Sequence, residues 1–162
     1  MSIKIGQKLP DSTLYKLGKS GPETTKLSSL YTNRKLAIFA LPGAFTPTCS
    51  QSHLPTIIEA AAGFYKKGID EILCVSVNDP HVVAAWGEFS GSTAAGITML
   101  GDPTSEFTKS IGMEFDAPAV GFFARSKRYA MFADNGIVKI FLPETARSTC
   151  EISSGRALLD NI

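Results

Sequence analysis

The sequence carries almost no net charge and contains no long apolar run, and each absence excludes a class of partner. Its 16 basic and 15 acidic side chains leave a formal net charge of +1 over 162 residues. Nucleic acids and anionic membranes select clustered positive charge, so neither is expected as a partner. No apolar stretch reaches the roughly 20 residues that a transmembrane helix needs, so no membrane span is expected. A small molecule or another protein is the expected partner.

Cysteine and histidine are also scarce. The chain has three cysteines, Cys49, Cys74 and Cys150, and two histidines, His53 and His81. An odd number of widely spaced cysteines does not build a disulfide framework, and without a CxxC pair or clustered histidines no structural zinc site is expected. The sequence has no phosphate-binding loop either, so we expect neither a metal nor a nucleotide cofactor. Reactive cysteine chemistry remains as the function to consider.

What the sequence does have is enough apolar material for one core. Apolar residues make up 44% of the chain and charged residues 19%, a balance typical of globular domains. A chain of 162 residues fits one domain, which we place at 1–162. The first residues, MSIKIGQKLP, put polar side chains where a signal peptide has its apolar core, so we expect a cytoplasmic protein.

Apolar periodicity predicts alternating strands and helices, preceded by a turn-rich N-terminal extension that ends near residue 34. Interior strands are expected at 36–41, 72–77 and 97–100, with helices starting near Pro47 or Thr48, at Pro80 and at Asp102-Pro103. Beyond Pro118 the pattern predicts strands at 119–124, 129–133 and 137–142, a hairpin turn at Asp134-Asn135-Gly136, and a last helix from about Ser153. This order predicts an α/β fold with a central mixed sheet flanked by helices on both faces, a thioredoxin-like layout.

Cys49 is predicted at a position that favours a thiolate. It follows the end of a buried strand and lies in the first turn of a helix, where unpaired amides and the helix dipole stabilise an anion. Pro42 and Pro47 stiffen the preceding loop, and Gly43 lets backbone come close to a bound molecule. The hydroxyl of Thr46 could donate to the thiolate and accept from a bound molecule. The alternative is an inert cysteine buried as a small apolar residue.

The segment PGAFTPTC at 42–49 resembles the peroxidatic loop of the peroxiredoxins, in the form found in the type II or peroxiredoxin-5 subfamily. The resemblance extends to CVSVNDP at 74–80 with Trp86, to MLGD at 99–102, and to RSKRYAM at 125–131 followed by Asn135-Gly136. It implies a thiol peroxidase without cofactor that reduces hydrogen peroxide and organic hydroperoxides. By the same resemblance Cys49 is the peroxidatic cysteine, its catalytic partners are Pro42, Thr46 and Arg128, and the peroxide binds at Gly43, Thr46, Cys49 and Arg128.

Two polar residues near the site allow other interpretations. Arg128 belongs to a basic cluster with Arg125 and Lys127, so it could be a surface cation, although strand alternation permits it to face inward. His53 lies four residues after Cys49 and on the same helix face, an arrangement that could support nucleophilic acyl chemistry. No acidic residue marks a third member of such a triad. We therefore expect His53 to pack against the site or hydrogen-bond within it.

The resemblance also implies how an oxidised Cys49 is resolved. Cys150 follows a polar stretch before the last helix, where a mobile thiol could attack a sulfenic acid. Cys74 lies in an apolar strand and is expected to be buried. Related proteins resolve through either position, and the Thr149-Cys150 context favours a Cys49–Cys150 disulfide, whose formation would need local movement. Direct attack by glutathione or glutaredoxin stays open, thioredoxin is the other implied reductant, and a homodimer is implied as well.

Two rival functions and two departures from the family pattern stay open. A thiol-disulfide or glutathione-transfer enzyme on the same fold is one rival, although the missing CxxC counts against it. A binding or chaperone-like module in which Cys49 is structural is the other. Thr56 stands where the family has glycine, and Phe122-Phe123-Ala124 contains less glycine than usual. These departures bear on substrate preference or on an interface, and not on the reaction.

Overall fold

The computed structural model describes all residues, 1–162, as nine strands and five α-helices. The strands are β1 (Thr13–Gly18), β2 (Gly21–Lys26), β3 (Lys35–Leu41), β4 (Glu71–Ser76), β5 (Ile97–Gly101), β6 (Glu114–Ala117), β7 (Phe122–Ser126), β8 (Tyr129–Asp134) and β9 (Ile137–Pro143). The helices are α1 (Leu27–Tyr31), α2 (Leu54–Lys66), α3 (Pro80–Ser90), α4 (Glu106–Ser110) and α5 (Gly155–Asn161). None of the helices is both long and apolar enough to cross a membrane.

Seven strands form one mixed sheet in the order β2-β1-β5-β4-β3-β8-β9, and β6 pairs with β7 in a separate hairpin. Strand β4 runs parallel to both β3 and β5, whereas β8 runs antiparallel to β3 and β9. The parallel strands are the continuous apolar runs of the sequence, as expected for strands covered on both faces. The predicted α/β fold with a central mixed sheet is confirmed.

The two faces of the sheet carry separate hydrophobic cores. Because successive side chains of a strand point to opposite faces, β3 contributes alternately to both. Leu36, Ile38 and Ala40 pack into one core, and Ala37, Phe39 and Leu41 into the other. The second core also contains Cys49, Cys74 and the closing helix residue Leu158. The candidate cysteine is therefore part of a packed core and does not lie on an exposed loop.

The N-terminal extension is more ordered than the sequence indicated. It folds into the β1–β2 hairpin followed directly by the short helix α1, where only short extended pieces were predicted. The residues of β2, GPETTK, are mostly exposed at the sheet edge, so they offered no apolar periodicity. Leu27 and Tyr31 are the buried residues of α1. A helix of five residues is too short for a helical repeat to be visible in the sequence.

The helix predicted to start at Asp102-Pro103 is wrong in its start. Helix α4 begins at Glu106, because Ser105 adopts a left-handed backbone conformation with φ of 58° and separates the aspartate from the helix. The buried Asp102 carboxylate nevertheless accepts hydrogen bonds from the backbone amides of Phe107 and Thr108, at 3.3 and 2.9 Å. Asp102 therefore accepts from amides of the first turn of α4, as a capping residue does, although a turn separates it from the helix.

The strand predicted at 119–124 is also wrong in its bounds. A 3₁₀ turn, Pro118–Val120, and Gly121 with φ of 73° divide this region. Strand β6 lies before the turn and β7 after it. Proline starts the turn because its fixed φ suits a helical conformation, and glycine ends it because it tolerates positive φ.

The hairpin and the closing helix agree with the sequence. Asn135 and Gly136 both have positive φ, 49° and 77°, as a type I′ turn between β8 and β9 requires. Helix α5 begins at Gly155, two residues later than predicted, and the Ser154 hydroxyl caps it by accepting from the amide of Ala157 at 3.1 Å. A Cβ atom on Gly155 would lie only 2.2 Å from the carbonyl oxygen of Thr56, so α5 packs on α2 at backbone contact.

Candidate active site

Cys49 begins a π-helical turn, Cys49–His53, immediately before α2. The predicted continuous helix is therefore interrupted at its start, and the amide of Leu54 reaches back to the carbonyl of Cys49. Such turns are rare and occur frequently at functional sites. The turn carries Cys49 at its first position and His53 at its last, and both side chains are buried.

A pocket of about 480 Å³ lies above this turn. Its lining includes every residue that the sequence placed around the cysteine except Gly43: Pro42, Thr46, Cys49 and Arg128. Cys49 as a whole is 0% exposed, although it borders the pocket. The sulfur is thus shielded from bulk water and can be reached only from the pocket.

Arg128 supplies the positive charge next to the sulfur. Its Nη2 lies 3.4 Å from Cys49 Sγ and 3.3 Å from the carbonyl oxygen of Arg147. The residue is 2% exposed, and the next residue but one, Ala130, packs in the same core as Cys49, as strand alternation allows. The interpretation of Arg128 as a surface cation is therefore wrong. Its Nε is the one buried side-chain polar atom without a hydrogen-bond partner.

The hydroxyl of Thr46 donates to the backbone and not to the sulfur of Cys49. It donates to the carbonyl of Gly43 at 2.8 Å, where the sequence had suggested a bond to the thiolate. Because the hydroxyl proton is engaged there, the oxygen's lone pairs remain available to accept from a hydroperoxide O–H.

Gly43 makes room for a neighbouring side chain. A Cβ atom at this position would lie 2.6 Å from Nη1 of Arg125. The glycine thus lets Arg125 approach and donate to the carbonyl of Pro42 at 3.2 Å. This bond ties β7 to the loop that carries the cysteine. Sequence reasoning noted Arg125 only as part of a basic cluster.

The imidazole of His53 extends the site behind Arg128. Its Nδ1 lies 3.1 Å from Nη1 of Arg128, and its Nε2 lies 2.8 Å from the carbonyl oxygen of Ser153. A guanidinium only donates and a carbonyl only accepts, so Nδ1 accepts and Nε2–H donates. Burial, reinforced by the positive charge of Arg128, lowers the pKa of His53 to about 3. The ring is therefore neutral and acts as a hydrogen-bonding support.

Residues of the 74–80 motif, together with Trp86, hold the loop 42–49 in place. The side-chain oxygen of Asn78 accepts from the Ala44 amide at 3.0 Å and from the Ser76 hydroxyl at 2.6 Å. Asp79 caps α3 by accepting from the next two free amides. Trp86 on that helix donates through Nε1 to Ser50 Oγ at 3.1 Å, one residue from the candidate nucleophile. These residues position the loop and the π-helical turn against the sheet.

The other two cysteines differ in accessibility. Cys74 is 1% exposed in the interior strand β4, and burial raises its pKa to about 12. Cys150 is half-buried in the segment between β9 and α5. Burial raises the pKa of Cys150, and the nearby Arg128 charge opposes this effect. All three cysteines are free thiols in this structure.

A carboxylate that sequence reasoning missed holds the segment around Cys150. Glu144 Oε1 accepts from the amides of Glu151 and Ser153, at 2.7 and 2.8 Å, and from the Ser153 hydroxyl at 2.9 Å. Its Oε2 accepts from the Thr149 hydroxyl at 3.0 Å. Burial alone would raise the pKa of Glu144, but these hydrogen bonds outweigh burial and lower it. A single glutamate after a strand gives no signal of such a role in the sequence.

Thr56 also has an internal role. Its hydroxyl donates to the carbonyl of His53 at 2.7 Å and accepts from the amide of Gly155 at 2.9 Å. The sequence had associated this departure from the family pattern with substrate preference or an interface. The structure places it between α2 and α5, where it joins the π-helical turn to the closing helix.

Comparison with known proteins identifies the family. The model of the family described as Redoxin matches residues 4–159. A structure of Prx3 from Vibrio vulnificus, reduced and in complex with hydrogen peroxide, superimposes with a TM-score of 0.91 at 43% identity and covers 98% of both chains. The chain belongs to the peroxiredoxins, and its fold is thioredoxin-like.

Two plant proteins show how much of a longer relative this chain matches. Peroxiredoxin-2E-2, chloroplastic, from Oryza sativa subsp. japonica is 46% identical over 143 residues, which are 86% of this chain and 64% of that protein. Peroxiredoxin-2E, chloroplastic, from Arabidopsis thaliana is also 46% identical over 143 residues, 86% of this chain and 61% of that protein. The chain thus spans less than two thirds of the length of these two relatives.

Proposed function

We propose that this protein is a thiol-dependent peroxidase that reduces hydrogen peroxide and organic hydroperoxides through Cys49. The observation that carries the proposal is the guanidinium of Arg128, fixed 3.4 Å from the Cys49 sulfur at the base of a pocket. Membership of the peroxiredoxins and the hydrogen peroxide complex of the Vibrio vulnificus relative support it.

In the first step the Cys49 thiolate attacks the terminal oxygen of the hydroperoxide. An S–O bond forms as the O–O bond breaks, so the sulfur is oxidised by two electrons to a sulfenic acid. The leaving oxygen departs as alkoxide or hydroxide and takes a proton from water, which yields an alcohol or water. Both electrons pass directly from the sulfur to the peroxide, so the step needs no metal or organic cofactor.

Arg128 and Thr46 act on different atoms in this step. Negative charge moves from the sulfur to the leaving oxygen, and the fixed positive charge of Arg128 lies next to that path and stabilises the developing charge. The Thr46 oxygen accepts the peroxide O–H and orients it, because its own proton is bound to Gly43. His53 keeps Arg128 in place through the 3.1 Å bond.

Cys150 is the proposed resolving residue. Its thiol attacks the sulfenic sulfur, an S–S bond forms, and the hydroxyl leaves as water with the proton of Cys150. Its half-buried position in a segment outside the helices and strands supports this role. Cys74 is a weaker candidate, because its thiol is buried in a central strand and its pKa is raised to about 12.

A dithiol or thiol must then return two electrons to the disulfide. Thioredoxin, or glutathione with glutaredoxin, remains the proposed reductant, and the cytoplasm remains the proposed compartment. Rates of recycling with each purified reductant system distinguish the two reductants. Direct attack of glutathione on the sulfenic acid would instead give a mixed disulfide on Cys49.

A second copy of the chain is the proposed partner for the apolar rim of the pocket. Phe45 and Phe89 are 51% and 80% exposed, with ring centroids 5.9 Å apart. Val120, 53% exposed, lines the pocket, and Phe123, 64% exposed, follows the lining residue Phe122 in the sequence. Sedimentation velocity should show a dimer that Phe89→Asp converts to a monomer, and a monomeric wild type would contradict this proposal.

The test of the peroxidase proposal uses reduced protein and one equivalent of hydrogen peroxide. Rapid alkylation and peptide mass mapping should find Cys49 joined to Cys150 and Cys74 alkylated. In Cys150→Ser the sulfenic acid of Cys49 should persist, and in Cys49→Ser the other cysteines should stay reduced. Unreacted Cys49 in the wild type would refute the peroxidase. A Cys49–Cys74 link would keep it and replace the resolving residue.

A further inference from the structure

The pocket above Cys49 is much larger than hydrogen peroxide requires. Its volume of about 480 Å³ lies within the roughly 300–1,000 Å³ of pockets that take organic ligands. Its lining includes the apolar residues Pro47, Val120 and Phe122, beside the polar residues Thr48, Arg147 and Ser148. The pocket thus has room and apolar surface for the organic part of a hydroperoxide.

Two guanidinium groups lie at the same aromatic ring on the rim. The Cζ of Arg125 is 5.2 Å from the centroid of Phe122, and the Cζ of Arg147 is 5.7 Å from it. Both distances are within the range of cation–π contacts. The contact restrains Arg147, which is otherwise exposed, while leaving the edge of its guanidinium free to bind an anion in a bidentate manner.

Neither of these two guanidinium groups forms a salt bridge. The three salt bridges of the fold are Lys16–Glu23, Arg34–Glu71 and Arg156–Asp160, all elsewhere. Glu144 is the only acidic residue lining this pocket or the adjoining cavity of about 170 Å³. Both of its carboxylate oxygens accept hydrogen bonds from the segment around Cys150. Both guanidinium groups lie close to one ring, so an anion bound near that ring is attracted by two positive charges.

We propose that Arg147, assisted by Arg125, binds the carboxylate of an organic hydroperoxide whose apolar chain lies in the pocket. The substrate class is an amphipathic acid, such as a fatty acid hydroperoxide, which Cys49 reduces to the corresponding hydroxy acid. The inference rests on the proposed peroxidase function and specifies its substrate. Hydrogen peroxide lacks both features and makes no use of Arg147.

The test compares a carboxylic acid with its own ester. Linoleic acid hydroperoxide and its methyl ester are each mixed with reduced protein below the concentration at which they form micelles. The rate constant of Cys49 oxidation is followed by the fluorescence of Trp86, the single tryptophan. The acid-to-ester ratio cancels changes in the reactivity of Cys49, since both probes react with the same sulfur.

In the wild type the acid should react about fivefold faster than the ester, the upper range for one exposed ion pair. Arg147→Ala should lower the ratio to about one, Arg147→Glu should invert it, and Arg147→Lys should restore part of it. Raised salt should also lower the wild-type ratio. Lys127→Ala is the matched control, because Lys127 is exposed and lines only the adjoining cavity, and its ratio should equal that of the wild type.

Three outcomes would overturn the proposal. The wild-type ratio could be one or lower, Arg147→Ala could leave the ratio unchanged, or Lys127→Ala could lower it equally, which would indicate only a general field. An effect of Arg147→Ala confined to recycling by glutathione would assign the arginine to the anionic reductant instead. Failure of the underlying peroxidase is seen separately, as a wild-type Cys49 that reacts with no peroxide.

Discussion

His53 Nδ1 accepts a hydrogen bond from Nη1 of Arg128 at 3.1 Å, although the two residues are 75 positions apart in the sequence. The bond requires an unprotonated ring, because an imidazolium has no acceptor nitrogen and would place a second positive charge against the guanidinium. The charge next to Cys49 is therefore held by a histidine that must stay neutral. This requirement makes both the site and the fold sensitive to acid.

The first prediction concerns stability at low pH. The pKa of His53 is lowered from 6.5 to about 3 in the folded state, so the unfolded chain binds more protons between these values. Stability is full above the unfolded pKa and is lost as the pH falls below 6.5. Because the folded protein keeps this ring neutral, we expect the free energy of unfolding to fall by about 2 kcal/mol between pH 6.5 and 5.

The check is denaturant unfolding at pH 7 and pH 5 for wild type and His53→Gln. Glutamine cannot titrate but retains an acceptor and a donor. The wild type should lose about 2 kcal/mol more than the variant over this range. Equal losses in the two proteins would show that His53 is not the group responsible.

The second prediction concerns the charge on Arg128. Arg128→Gln should lower the rate constant of Cys49 oxidation by hydrogen peroxide roughly 100-fold or more, since removing one preorganised charged donor has an effect of this size. Arg128→Lys should lie between wild type and glutamine, because one ammonium cannot reach Cys49, His53 and the Arg147 carbonyl together. Stopped-flow tryptophan fluorescence measures the rates, and a glutamine variant with wild-type rate would contradict the assigned role.

The third prediction tests whether Thr46 acts through its hydroxyl oxygen or through the size of its side chain. Thr46→Val keeps the size of the side chain but removes the oxygen, and we expect a decrease of roughly 10-fold in the rate constant, the value of one hydrogen bond to a charged transition state. Thr46→Ser should stay near the wild-type rate. The same stopped-flow measurement applies, and a larger loss in the serine variant than in the valine variant would indicate packing instead.

The fourth prediction concerns the Glu144 carboxylate. Glu144→Gln removes the charge from the bonds to Ser153, Glu151 and Thr149, so the segment around Cys150 should loosen and unfolding free energy should fall by about 1–2 kcal/mol. A looser segment lets Cys150 reach Cys49 sooner. The disulfide should therefore form faster after peroxide is added.

Quenched samples analysed by mass spectrometry measure that rate. Thr149→Ala removes only one of the four hydrogen bonds that the Glu144 carboxylate accepts, so its rate should lie between those of wild type and Glu144→Gln. A slower disulfide in Glu144→Gln would mean that the carboxylate positions Cys150 for attack and does not restrain it.

The sequence predicted the parts of the site that are local or marked by a motif. The loop 42–49 and the interior strands next to it are continuous in sequence, and the Asn135-Gly136 turn depends only on backbone conformation. Arg128 was identified through the resemblance, because strand alternation permitted an inward side chain without requiring one. Its burial and its contact with the sulfur needed the structure.

What could not be predicted depends on contacts that no local pattern encodes. The bond between His53 and Arg128 joins distant segments, and the hold of Glu144 on Ser153 depends on the path of an irregular segment. The start of α4 was wrong because Ser105 takes a left-handed conformation that its residue type does not favour. The stacking of Arg125 and Arg147 at Phe122 likewise follows only from the tertiary fold.

The close packing of Gly155 on Thr56 has a consequence for exchanging segments between relatives. Thr56 provides a hydroxyl that accepts from the amide of Gly155, and Gly155 has no side chain that would collide with α2. The two residues, 99 positions apart, therefore act as a matched pair. A chimera that takes its C-terminal helix from a protein with a larger residue at 155 would push the helix away from α2 and break the hydrogen bond from His53 to the carbonyl of Ser153. Grafts into this chain therefore need both positions from the same parent, even though neither residue touches the substrate.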